Sequence, residues 1–171
     1  MSLFVVSYPW QLYFYYPEDR ISEGQFFLRQ LNGVKRLELS GLKSLCRKSD
    51  LGEIDPNYHG FQEIAKNFVL AAGTSGMLCG FCVFVLERRD VIQIDLLVTA
   101  KEWRRKGLGR LLLNVLEQTC LPGTIIYVDQ VTETGRKFFI NCGFTKDVNL
   151  FKVAGGKGGA CCPFQTAGSA G

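Results

Sequence analysis

Between Asn67 and Thr99 three apolar runs follow one another with short polar breaks, and from Gly107 onward the apolar residues recur with a different period. The runs are NFVLAA (67–72), MLCGFCVFVL (77–86) and VIQIDLLVT (91–99). Gly73-Thr74-Ser75-Gly76 and Glu87-Arg88-Arg89-Asp90 separate them, which predicts an antiparallel meander of three strands. Leu108, Leu112, Val115 and Leu116 then fall at i, i+4, i+7 and i+8, one face of a helix ending near Cys120, before Pro122-Gly123. TIIYV (124–128) reads as a buried strand, Thr132–Asn141 as a helix with Gly143 as its C-cap, and Phe144–Val153 as a strand. Strand, helix, strand, helix, strand after a meander implies a mixed α/β fold, a mixed sheet with helices on its faces.

The first sixty residues carry a weaker pattern. Ile21–Leu31 places Phe26, Phe27 and Leu31 on one helical face, with Asn32-Gly33 as a stop. Leu39, Leu42, Leu45 and Cys46 have helical spacing within Leu37–Cys46, and Ser49–Gly60 reads as a loop. Residues 1–17 hold no charge, yet Ser7, Pro9 and Gln11 interrupt them, and no basic lead or small-residue cleavage site is present. The run is also shorter than the roughly 20 apolar residues that span a bilayer. Its aromatics suit a strand or edge packed on a core. At the other end, AGGKGG (154–159) could close a hairpin onto Cys161–Gln165. With 171 residues, one domain over 1–166 with a frayed tail at 167–171 is expected, because roughly 150 residues per domain is usual. A cytoplasmic location follows from this reading, or a nuclear one if the partner is a histone or other nuclear protein. Oligomeric state is left open.

The net charge is +4, and residues 101–110 (KEWRRKGLGR) hold five basic residues against one acid, which accounts for all of it. Nucleic-acid binders usually spread basic residues over a face, so nucleic acid is disfavoured and a compact anion is expected instead. Seven cysteines, an odd number mostly inside apolar runs, suggest buried free thiols in a reducing compartment. Cys79-Gly-Phe-Cys82 is formally a CxxC, but it lies in a strand, where positions three apart point to opposite faces. No His, Cys or Asp grouping has metal-ligand spacing, and His59 is a lone loop histidine, so no metal site is assigned.

The cationic turn lies between a strand ending near Thr99 and a helix starting near Gly107. A helix's first N–H groups lack partners and its dipole places partial positive charge there. Glycines allow close approach, and Arg and Lys add full charges, so RRKGLG is a candidate phosphate or pyrophosphate cradle. The spacing is neither GxxxxGK[ST] nor GxGxxG.

VTAKEWRRKGLGRLLL resembles motif A of the GNAT superfamily of acyl-CoA-dependent N-acetyltransferases, Arg/Gln-x-x-Gly-x-Gly/Ala, carried here by Arg104, Gly107 and Gly109. Gly143-Phe144 in KFFINCGFTK resembles that family's motif B, and residues 67–98 resemble its central meander, so the resemblance covers about 67–153. It implies a twisted, mostly antiparallel mixed sheet of about six or seven strands flanked by helices, and acetyl-CoA as acyl donor. The pyrophosphate would sit among Arg104, Arg105, Lys106, Gly107, Leu108, Gly109 and Arg110. The pantetheine arm would lie along the backbone of Leu97 and Val98 as an extra strand. The strand Thr124–Val128 would splay away to open the slot, and an amine would attack the thioester directly.

The amine must lose a proton, so a base is required. Asp95 is the acid between Asp90 and Glu102, and it shares a predicted strand face with Gln93, opposite Ile92, Ile94 and Leu96. By the resemblance, Gln93 stands where histone-acetylating members place a catalytic Glu, and glutamine cannot act as a base. Phe139 stands where many members carry the Tyr that protonates the leaving thiolate, and is expected beside the cofactor. Tyr127 is the substitute candidate. Thr132 stands where an Asn often faces the CoA arm, or it caps the helix. The acceptor would be a protein lysine, a protein N-terminus or a small amine. The alternative is a non-catalytic acyl-CoA-binding domain, and a third reading, phosphate-backbone binding through the basic turn, predicts a steep salt dependence.

Overall fold

The computed structural model describes residues 9–47, 59–146 and 149–155. Among the described residues eight strands form one sheet: β1 (Gln11–Tyr15), β2 (Val34–Leu37), β3 (Phe68–Thr74), β4 (Met77–Arg88), β5 (Val91–Thr99), β6 (Ile125–Val128), β7 (Thr145–Lys146) and β8 (Leu150–Val153). Their order across the sheet is β2-β1-β3-β4-β5-β6-β8-β7. The β1–β2 and β5–β6 pairs are parallel and the other five antiparallel. The helices are α1 (Ile21–Arg29), α2 (Leu39–Arg47), α3 (His59–Ile64), α4 (Leu108–Thr119) and α5 (Glu133–Asn141). None of the described helices is long and apolar enough to cross a membrane.

The predicted meander is β3–β4–β5, with β5 at the expected bounds. Two additions raise the strand count above the expected six or seven. β2 is a four-residue edge strand, VKRL, whose exposed Lys35 and Arg36 guard the edge against further pairing. The predicted strand 144–153 is two short strands, β7 and β8, paired to each other across Lys146↔Leu150. The end of the uncharged N-terminal stretch supplies β1, which lies between β2 and β3 rather than at an edge. The hairpin expected at 161–165 and most of the loop expected at 49–60 lie outside the described residues.

Alternation along the strands divides the core in two. Phe14, Phe68, Leu70, Phe84, Ile92 and Ile126 pack with Phe27 of α1, Leu108, Leu112 and Leu116 of α4, and Phe139 of α5. Tyr15, Val69, Ala71, Phe81 and Val83 pack on the other side with Leu42 of α2 and with Phe61 and Ile64 of α3. Of the three register breaks in the meander, at Ala72/Gly73, Val83/Phe84 and Leu86/Arg88, the first two shift this alternation within the core. One, at the Ala72/Gly73 register break, puts Cys79 and Cys82 into the same core, so the opposite-face expectation for the CxxC is overturned. Both thiols are buried and free, and burial pushes Cys82 up to about 12 and raises Cys79, which leaves them poor nucleophiles and poor ligands.

The second bulge falls in β5. Val83 pairs with Leu96 and Phe84 with Ile94, so Asp95 has no residue opposite it on β4. Ile92 and Ile94 belong to the first core, whereas Leu96 packs on the second. The uninterrupted alternation expected for Ile92, Ile94 and Leu96 is therefore broken at Asp95.

Candidate active site

The site begins where β5 and β6 part. Their parallel pairing runs from Val91↔Ile125 to Ile94↔Val128 and stops there. β5 continues for five more residues, Asp95–Thr99, bonded only to β4 among the described residues. Leu97 and Val98 lie on this stretch, which leaves backbone N–H and C=O groups on one edge open for an extended ligand.

Past Thr99 the chain makes a short 3-10 turn, Lys101–Trp103, and reaches α4 through Arg104-Arg105-Lys106-Gly107. Close packing sets the position of α4. A Cβ on Gly80 would stand 2.8 Å from the Leu108 side chain, and one on Gly109 would stand 3.0 Å from the Phe138 ring. Gly107, at φ +84, is the N-cap and offers no side-chain cap. The first intrahelical bond is Leu111 N–H to the Gly107 carbonyl at 2.9 Å, so the amides of Leu108, Gly109 and Arg110 precede the hydrogen-bond ladder. Arg105 also has a left-handed backbone, at φ +63.

The four cations at this turn are exposed but not equivalent. Arg104 donates from Nε to the Thr99 carbonyl at 3.1 Å, which folds the turn back over the end of β5. Arg110 donates from Nη2 to the Asn141 carbonyl at 3.4 Å. Arg105 and Lys106 have no protein partner among the described residues. Two cations and a strand edge without partners among the described residues, and three N-terminal amides, thus lie at one end of the sheet. Leu108 itself is buried, so it contributes its amide and anchors the helix.

Thr132 caps α5, its Oγ1 accepting the Gly135 N–H at 3.0 Å. The other end of α5 accounts for Gly143-Phe144. Gly143, at φ +96, donates to the Ile140 carbonyl and Phe144 to the Phe139 carbonyl, each at 3.0 Å. This is a Schellman closure, in which glycine tolerates the left-handed position and the next apolar residue packs back on the helix. The Phe144 and Phe139 ring centroids are 5.0 Å apart. The helix cap itself is Cys142, with Gly143 one residue beyond.

The candidate proton carriers are placed differently from one another. Asp95 is exposed on the bulge, just beyond the point where the strands part. Tyr127 lies beside Gln93 across the β5–β6 pair, and its hydroxyl donates to Glu87 Oε2 at 2.5 Å. That bond, more than burial, pushes Tyr127 up to about 12. Phe139 is 5 % exposed and stacks edge-on with Phe138 and Phe144 inside the first core. Glu87 was missed by sequence reasoning; it is 40 residues from Tyr127 and carries no motif. His59 begins α3 rather than lying in a loop. Among the described residues no group of His, Cys, Asp and Glu could hold a metal ion.

A model of the acetyltransferase (GNAT) domain family matches residues 64–146. No curated protein matches the chain. Among solved structures it is similar to an acyl-CoA N-acyltransferase from Pseudomonas aeruginosa, with 18% identity, 67% of this chain and 90% of that chain covered, and a TM-score of 0.50. It is also similar to Ard1 from Thermoplasma volcanium, with 17% identity, 50% and 70% covered, and a TM-score of 0.42. A third is PaiA N-acetyltransferase from Thermoplasma acidophilum in complex with coenzyme A, with 20% identity, 48% and 57% covered, and a TM-score of 0.38. Residues 64–146, just under half of the chain, thus match the acetyltransferase (GNAT) domain, the family that the motifs at Arg104–Gly109 and Gly143-Phe144 resemble.

Proposed function

We propose that the protein is an acyl-CoA-dependent N-acetyltransferase that moves an acetyl group from acetyl-CoA to a primary amine. The supporting observation is the juxtaposition of the β5–β6 parting at Ile94/Val128 with the cationic turn 104–107 at the head of α4. The residues fit the group. Arg105 and Lys106, with no protein partner among the described residues, and the first amides of α4 suit a pyrophosphate. Arg104 and Arg110 add charge while bracing the turn. The edge at Leu97 and Val98, without a strand partner among the described residues, suits the amide-bearing arm.

Bound acetyl-CoA supplies a thioester carbonyl open to direct attack by an amine. Asp95 stands on the exposed bulge at the mouth of the parting, where a carboxylate can take the proton of an incoming ammonium or pass it to water. Tyr127 can donate a proton only by exchanging its bond to Glu87. Little acid help is needed, because an alkyl thiol with a pKa of about 8.5 is an adequate leaving group as its thiolate. Thr132 contributes by starting α5 at the rim. Phe139 contributes by holding α5 to the core.

Mixing the protein with acetyl-CoA and a panel of amines, including lysine peptides, free protein N-termini and small amines, tests this. Amine-dependent thiol release is expected. A second reading, an acyl-CoA-binding domain without turnover, draws on the core position of Phe139 and the occupied hydroxyl of Tyr127. Saturable coenzyme A binding with no thiol release on any amine would favour it.

A further inference from the structure

A cleft of about 490 Å³ opens at the end of the sheet away from the cationic turn. Ile92, near the start of β5, lines it, as do Cys120 and Leu121 beyond the last turn of α4. The cationic turn lies past the other end of both elements. α4 has 12 residues, so roughly 18 Å separates the two places. This volume falls in the range of about 300–1,000 Å³ typical of small-molecule sites.

We propose that the cleft binds a small amphipathic carboxylate, an apolar chain or ring bearing one carboxylate group. Phe26 and Leu86, half-buried, and buried Ile92 give it an apolar floor, and Leu121, half exposed, gives an apolar wall. Five charged residues line it, and three of them are already engaged. Arg20 pairs with Glu23 at 3.5 Å, and Glu87 accepts the Tyr127 hydroxyl. Arg88 and Arg89 are exposed at the β4–β5 turn and have no partner among the described residues. The lining sets Arg20, Arg88 and Arg89 against Glu23 and Glu87, a net positive charge, and an apolar floor beside two guanidinium groups with no partner among the described residues selects a ligand with one desolvated end and one anionic end. A guanidinium fork matches a carboxylate in geometry as well as charge. A cationic head would meet repulsion there, and a neutral one would leave both arginines unused.

Octanoate titrated into the full chain, followed by backbone amide NMR shifts, tests the proposal, with octanol and octylamine as controls of equal chain length. Saturable octanoate binding is expected, with shifts grouped at residues 22–27, 86–92 and 120–124 and no saturation by octylamine. Arg88→Ala/Arg89→Ala should weaken octanoate by about tenfold or more, the scale of one lost charge-assisted hydrogen bond, with the thermal midpoint unchanged. Arg88→Glu/Arg89→Glu should abolish binding. Added coenzyme A should not displace octanoate, whether or not the chain is an acetyltransferase. Octanol binding as tightly as octanoate, affinity unchanged by both double variants, shifts centred on other residues, displacement by coenzyme A, or no saturable binding would each overturn it.

Discussion

Ile94 and Val128 are the last facing residues of β5 and β6; beyond them the two parallel strands separate, and β5 runs on for five residues with a partner on one side. Strand edges without partners exchange their amide hydrogens readily. Hydrogen exchange of residues 95–99 is therefore expected to be faster than that of Ile92 and Ile94. It should slow on adding coenzyme A. Equal protection across β5 with and without coenzyme A would show that this edge is not where the ligand lies.

The proposed chemistry separates two candidate carriers. Asp95→Asn is expected to lower kcat by about 10²–10⁴-fold, the usual range for a lost general base, with KM for acetyl-CoA little changed. Tyr127→Phe is expected to change kcat by no more than about threefold, because the thiolate leaves without strong acid help. Steady-state kinetics with the best amine of the panel decide both. A large loss in Tyr127→Phe with none in Asp95→Asn would reverse the assignment.

Tyr127 also makes a pH prediction. Its hydroxyl pKa is raised from 10.0 to about 12, chiefly because it donates to the Glu87 carboxylate. The unfolded chain ionises this tyrosine first, so the stabilisation is full below pH 10 and is lost as pH rises to about 12. Ultraviolet titration of the phenolates should find, besides Tyr15, which burial also raises, a late-ionising tyrosine that disappears in Tyr127→Phe. In Glu87→Gln it should ionise nearer its ordinary value. An unchanged titration in both variants would show that the bond does not form in solution.

Phe139 is a core residue, and truncating it should cost about 3–5 kcal/mol in denaturant unfolding. Phe139→Tyr places a hydroxyl in or beside that core. It is expected to destabilise by about 1–3 kcal/mol if the hydroxyl is left unpaired, and not to raise turnover. A clear gain in kcat on Phe139→Tyr would place the ring's edge at the reacting atoms.

Much of this arrangement was readable in the residues because it depends on local periodicity. The period-2 pattern of Val91–Thr99, the helical face of Leu108–Leu116 and the cap at Thr132 are each decided by neighbours within one or two turns of chain. So is the Gly143-Phe144 closure. What escaped was set by pairing partners. The bulges at Asp95 and beside Gly73 move a strand's later residues to the other face, and nothing in VIQIDLLVT or MLCGFCVF marks the extra residue. The Tyr127–Glu87 bond joins residues brought together only by strand order. β2 is too short and too basic to show alternation, and it exists because β1 offers it an edge.

In the proposed function one end of the sheet, from the edge of β5 beyond Ile94 to the head of α4, receives coenzyme A. A coenzyme A titration followed residue by residue by amide NMR tests it most directly. Saturable binding is predicted, with shifts concentrated at 95–99 and 104–110, weakened about a hundredfold or more in Arg104→Ala/Arg105→Ala/Lys106→Ala as several charge-assisted contacts are lost together. Absence of saturable binding, or an affinity unchanged in that triple variant, would contradict it.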